Sequence, residues 1–268
     1  MIANRSATNL HYNRQGDGPD VLLVHGWASS GQMWSRLMHD LGHVARFWAV
    51  DLYGFGLSPR PAEHESIYVQ QHAEMLLDFC EQHHIRPKAI VGHSMGGMLA
   101  LKLAAEQPDL TDKLILMSPV VTGRMGHPIE FGRLFTNEIG SYTLSKSKPL
   151  WTLAQNVFSP IFSRPAHWYL DDVAASRIQQ DFQRASWQAS THALHSLARE
   201  NMHPHLASIQ HPTLVILGSN DTTVPPNEGR HAANHLPNAQ LLELAHTHHQ
   251  PLDEQPERVV KAVQDFLQ

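Results

Sequence analysis

The chain reads as an α/β protein, a mostly parallel sheet with helices on both faces and a helical cap inserted late, and three observations predict it. Short apolar runs alternate with stretches of helical periodicity, as the crossovers between parallel strands require. Several runs are apolar at every position, so both faces of those strands are covered. Between 121 and 207 the strand signal stops and aromatic residues take over: Phe131, Phe135, Trp151, Phe158, Phe162, Trp168, Tyr169, Phe182 and Trp187. Strands then resume, so residues 1–120 and 208–268 are expected to form one core and 121–207 a mostly helical cap.

Each element has its own warrant. Residues 7–12 suit a short edge strand, closed by the turn-forming Gln15-Gly16-Asp17-Gly18-Pro19. Val21-Leu22-Leu23-Val24 is apolar on both alternations and runs into the loop His25-Gly26-Trp27-Ala28-Ser29-Ser30. Met33, Leu37 and Leu41 repeat at helical spacing over 32–41, and Phe47-Trp48-Ala49-Val50 is the next strand. Helical spacing returns over 67–83. Ala89-Ile90-Val91 then leads through a Gly/Ser turn into 98–106, whose Ala, Leu and Lys favour a helix. Strands are expected at 113–117, 212–217 and 240–244, and helices at 227–236 and 257–267; the last is amphipathic through Val259, Val260, Val263, Phe266 and Leu267.

Composition narrows the function classes. With 268 residues, 42% of them hydrophobic, the chain can bury the core of one domain. A formal charge of −5 and no long basic run argue against nucleic acid and for a small-molecule partner. The start, Met1-Ile2-Ala3-Asn4-Arg5-Ser6, has no apolar leader and no run of about 18 apolar residues occurs. A soluble, cytoplasmic protein without membrane insertion is therefore expected, its oligomeric state left open. The single cysteine, Cys80, sits in a helical apolar pattern and reads as a buried thiol. Histidine is abundant, 21 residues, most of which must lie on the surface because one active site cannot employ them. Their titration reverses the net charge on mild acidification.

The chemistry is concentrated in Gly92-His93-Ser94-Met95-Gly96-Gly97. Small residues two before and two after a serine let strand and helix approach closely and expose the serine on a strained turn. Such a serine needs a base, and the base an orienting carboxylate. Asp221, in the loop Gly218-Ser219-Asn220-Asp221-Thr222-Thr223-Val224-Pro225, stands after a strand, where sites on open α/β sheets gather. The last strand is followed by three candidate bases, His246, His248 and His249. Met95, at a helix start, offers a free N–H to a developing oxyanion. Trp27 offers a second N–H, and its indole reads either as pocket lining or as core. Trp27, His93 and Val224 are the candidates for substrate contact. Neither cofactor nor metal is required: His246-x-His248-His249 and His203-x-His205 could share an ion, but serine chemistry accounts for His249 without one.

The motifs together resemble the α/β-hydrolase fold superfamily over nearly everything outside the cap. The matching stretches are His25-Gly26-Trp27, Asp51-x-x-Gly54-Phe55-Gly56-x-Ser58, Gly92-His93-Ser94-Met95-Gly96-Gly97, Gly218-x-x-Asp221-x-x-x-Pro225, and His249 with Glu254 and Pro256 behind it. The resemblance implies Ser94 as nucleophile, Asp221 as orienter, His249 as base, and the N–H groups of Trp27 and Met95 as oxyanion hole. Tyr53 stands where the family commonly has proline, and His248 where it has glycine. Ser94 departs from the aspartate of dehalogenases and epoxide hydrolases of this fold. His93 departs from the aromatic residue of many cofactor-free haloperoxidases and perhydrolases, and from the asparagine common in carbon–carbon bond hydrolases. The wording is most similar to serine carboxylesterases and lipases, which implies an esterase working through an acyl-enzyme. A ligand-binding receptor on the same fold, with slow or vestigial hydrolysis, would keep the same three residues.

Overall fold

The apolar runs of the sequence become neighbours in one seven-stranded sheet. In a computed structural model, which describes residues 9–62, 65–126 and 170–268, the strands are β1 Tyr12–Gln15, β2 Asp20–Val24, β3 Arg46–Val50, β4 Ala89–His93, β5 Lys113–Met117, β6 Thr213–Gly218 and β7 Ala239–Leu244. Their order is β1-β3-β2-β4-β5-β6-β7. Every pairing is parallel except that of β1 with β3. The parallel strands therefore all end on one side, and the loops after β2, β4, β6 and β7 meet there.

Side-chain alternation divides the interior into two layers. Leu22 and Val24 face one layer with Leu76 and Phe79 of α2 (Val69–Gln82) and Leu99 and Leu103 of α3 (Met95–Glu106). Val21 and Leu23 face the other, with Leu37 and Leu41 of α1 (Ser35–Leu41) and Val259 and Val263 of the closing helix. Each such aliphatic side chain contributes roughly 1.5–3 kcal/mol by leaving water. Cys80 is buried in the first layer, and burial pushes its thiol up to about 12, which leaves it an inert packing residue.

Three described helices lie between β5 and β6: α4 Asp172–Arg184, α5 Trp187–Leu197 and α6 His203–Leu206. The first two begin on side-chain caps, Asp171 accepting from the Ala174 N–H and Ser186 from the Ala189 N–H. Of the predicted aromatic set, Phe182 and Trp187 belong to these helices; Phe131 through Tyr169 lie outside the described residues. After β6 come α7 Pro226–His235, α8 Pro251–Glu254 and α9 Pro256–Leu267.

The structure corrects three details. The edge strand is Tyr12–Gln15 rather than 7–12, because antiparallel pairing with Phe47–Val50 and the packing of Tyr12 on Trp48 and Phe79 set its position. The helix expected from 32 opens with a separate 3₁₀ turn, Gly31–Trp34, capped by Ser30. The short α8 was hidden by its prolines, which suit a first turn because no N–H is needed there.

Candidate active site

The serine occupies the turn its neighbours make possible. Ser94 has φ 54° and ψ −113°, left-handed backbone that costs of order 1–3 kcal/mol for a non-glycine residue. A Cβ on Gly92 would stand 2.2 Å from the Gly96 carbonyl oxygen, and one on Gly96 2.2 Å from that of Val24, so side chains at either place would force β4, α3 and β2 apart. The turn is pinned by the Ser94 N–H, which donates to the Met117 carbonyl at 2.9 Å.

The acid is held by its own loop. Asp221 Oδ1 accepts the N–H groups of Thr223 (2.8 Å) and Val224 (2.9 Å), and Oδ2 lies 2.7 Å from His249 Nδ1. With the Nδ1 proton donated to Asp221, His249 keeps a lone pair on Nε2, the form a general base needs. Of the three neighbouring histidines, His249 meets Asp221; His248 turns to Glu254, and His246 is exposed with its N–H on Ser219 Oγ. Ser94 Oγ makes no hydrogen bond to His249 among the described residues, a contact that often tightens only with substrate bound.

His249 is nevertheless fixed against the residue that precedes the serine. The ring of His93, the residue before Ser94, packs on the His249 ring at 4.7 Å, and its Nε2 donates to the His249 carbonyl at 2.8 Å. His93 is 3% exposed, and burial together with the neighbouring His249 holds it well below its ordinary pKa. It stays neutral and serves as a positioning contact for His249. Val224 is likewise buried and touches Asp221 through its backbone.

On the opposite side, the loop after β2 crosses over the serine: a Cβ on Gly26 would lie 3.1 Å from Ser94 Cβ and 2.9 Å from His93 Nδ1. The N–H groups of Trp27 and Met95 find no acceptor among the described residues, leaving both able to receive an oxyanion. The Trp27 indole donates to the Ser190 carbonyl of α5 at 2.8 Å and meets Phe182 of α4 edge-on, so it joins this loop to the inserted helices.

Further side chains brace the site: His25 and Glu254, which the sequence placed in the matching stretches without a role, and Arg177 and Asp181, which it did not single out. His25 Nε2 accepts the Leu52 N–H and Nδ1 donates to the Gly26 carbonyl, bracing the crossing loop; burial lowers its pKa and keeps it neutral. Glu254 accepts the N–H groups on both sides of His249, from His248 at 2.7 Å and Gln250 at 3.0 Å. From α4, Arg177 makes a two-pronged ion pair with Asp253 at 2.7 and 3.0 Å, and Asp181 accepts from Ser30 Oγ at 2.8 Å. Glu254 stood out in the sequence by its spacing behind His249; the α4 contacts join residues more than 70 positions apart and leave no local signal.

The model of the alpha/beta hydrolase fold family matches residues 19–256. A 2-hydroxymuconate semialdehyde hydrolase of Pseudomonas putida is 31% identical, covering 100% of this chain and 92% of its own. A pimeloyl-[acyl-carrier protein] methyl ester esterase of Vibrio vulnificus is 26% identical over 94% of this chain and 95% of its own. Among solved structures, a hydrolase from Pseudomonas aeruginosa superposes with a TM-score of 0.83 at 21% identity, covering 100% of this chain and 99% of that one. A thermophilic esterase from Thermogutta terrifontis gives 0.77 at 24%, covering 97% and 96%.

Proposed function

This chain belongs to the alpha/beta hydrolase fold family, and on that premise we propose that it is a serine hydrolase that cleaves small-molecule carboxylic esters through an acyl-enzyme. The observation that carries the reading is the 2.7 Å contact of Asp221 with His249 Nδ1, on a histidine locked through His93 to β4, the strand that runs into Ser94. His249 Nε2 takes the Ser94 proton as Oγ attacks the acyl carbon, and the negative charge passes to the carbonyl oxygen. The N–H groups of Trp27 and Met95 receive that charge, each donor contributing roughly 3 kcal/mol because it needs no reorganisation. The imidazolium, stabilised by Asp221, returns its proton to the departing alcohol. Water then repeats the sequence on the acyl-enzyme and frees the acid. Residues 121–207 act as a cap that sets which acyl and alcohol groups enter. That role is supported by α4, whose Arg177 pairs with Asp253 of α8, just after His249, and whose Asp181 accepts from Ser30 in the loop after β2.

A second reading, hydrolysis of a carbon–carbon bond beside a carbonyl, is favoured by the 31% identity to the 2-hydroxymuconate semialdehyde hydrolase. Stopped-flow hydrolysis of p-nitrophenyl esters of graded acyl length, alongside 2-hydroxymuconate semialdehyde, tests both. A stoichiometric burst of nitrophenol followed by slower turnover supports the esterase. Turnover of the semialdehyde alone supports the second reading, and no turnover of either supports a receptor.

A further inference from the structure

Away from Ser94, three histidines converge. His231 and His235 stand one turn apart on α7, so both rings leave the same side of that helix. α6 brings His203 against them. Ring centroids are 4.2 Å apart for His231 and His235, 4.7 Å for His203 and His231, and 4.9 Å for His203 and His235. One ligand atom from each of the three lies within 4.8 Å of the others, the one such group among the described residues. The sequence suggested His203 with His205; the structure instead turns His203 toward α7.

Hydrogen bonding already arranges the donors. His235 Nδ1 donates to the His231 carbonyl at 2.8 Å, which leaves Nε2 as its lone-pair atom, the usual way a ligand tautomer is fixed. His203 Nδ1 and His231 Nε2 share one proton at 2.7 Å, so these two atoms point at a common centre. A tetrahedral ion with bonds of about 2.0–2.1 Å places its ligand nitrogens about 3.3 Å apart. The pair needs to open by less than about 1 Å, and the shared proton to move to the other nitrogen of its own ring. His203 and His235 are exposed, so their side chains have room to do this and water can complete the coordination.

We propose that His203, His231 and His235 bind one divalent transition-metal ion. Three imidazoles without a carboxylate suit zinc, nickel, cobalt or copper, and not magnesium or calcium. The ion ties α6, where the chain returns from the insertion, to α7. The same helix already fastens the point of departure: Glu228 accepts the N–H groups of Val121 at 2.8 Å and Thr122 at 2.6 Å. Metal binding thus secures both roots of the 121–207 segment on one helix.

The test is titration of the chelator-stripped protein with zinc against a competing chromophoric chelator, with thermal unfolding followed in parallel. One zinc per chain is expected, together with a rise in Tm on adding zinc. His203→Ala, His231→Ala and His235→Ala should each weaken zinc at least about tenfold and remove the zinc-dependent rise. His203→Asn keeps a polar surface group and should lose zinc equally, which separates metal ligation from a folding defect. His246→Ala with His248→Ala should leave the affinity unchanged. Unchanged zinc affinity in the His203→Ala/His235→Ala double variant overturns the proposal, as does loss of binding in the His246→Ala/His248→Ala variant alone.

Discussion

Asp221 and Asp181 are both buried carboxyl groups beside loops that approach Ser94, but they are held differently. Asp221 takes three donors: two N–H groups of its own turn and the His249 ring. Asp181 reaches across from α4 to a single hydroxyl, Ser30, and its Oδ2 has no partner. Burial pushes the Asp181 carboxyl up to about 6, against the opposing pull of Ser30 and Arg177. The contrast shows what local backbone donors do for a buried acid. They arrive with the turn itself, whereas a partner on another element must be positioned by tertiary packing.

Breaking the well-held acid should have the largest effect. Asp221→Asn is expected to lower kcat by roughly 10⁴, because the amide favours the wrong imidazole tautomer, with the fold intact. His249→Ala should lose as much, while His246→Ala and His248→Ala stay within about tenfold of the parent. Steady-state ester hydrolysis checks all four, and near-normal activity in the Asn variant would mean that the orienter lies elsewhere.

The loop that Asp181 supports is broken more directly at Gly26. Gly26→Ala drives a methyl against His93 and Ser94 and should reduce kcat by about 10², the effect of misplacing reacting groups by about 1 Å. A variant with parental kcat would show that the crossing loop can retreat freely. Glu254→Gln, which leaves one of two N–H groups beside His249 facing an amide nitrogen, should cost about tenfold in kcat. Its near-ultraviolet circular dichroism should match the parent.

Asp181→Asn should barely alter turnover and instead change how stability depends on pH. A carboxyl raised in the folded state holds its proton from its ordinary pKa of 3.8 up to about 6, while the unfolded chain has released it. Stability from this group is therefore present below about pH 4 and is lost as pH rises toward 6, by up to about 3 kcal/mol. The amide has no charge to bury. Its Tm should exceed the parent's at pH 7.5 and match or fall below it at pH 4.5; parallel Tm profiles would refute this.

The sheet's interior was legible because β2, β4 and β5 carry nearly unbroken apolar side chains. The edge strand was misplaced because Asn13, Arg14 and Gln15 face water and look like loop. In the site, Gly92-x-Ser94-x-Gly96 was readable because a tight turn demands small residues at fixed offsets. His93 was read as a substrate contact; its packing on the His249 ring joins residues 156 positions apart and had no local signal. Asp181 and Arg177 were silent because their partners are remote in sequence, and His203 was paired with its neighbour His205 for the same reason.

The most direct test of the account is where a fluorophosphonate attaches. Incubation with such a probe, followed by intact-mass measurement and peptide mapping, should add one phosphonyl group per chain on Ser94. Labelling should be absent in Ser94→Ala and slowed by roughly 10³–10⁴ in His249→Ala and Asp221→Asn. A label on another residue, or ester turnover that persists in Ser94→Ala with no label at all, would contradict the assignment of Ser94 as the nucleophile activated by His249 and Asp221.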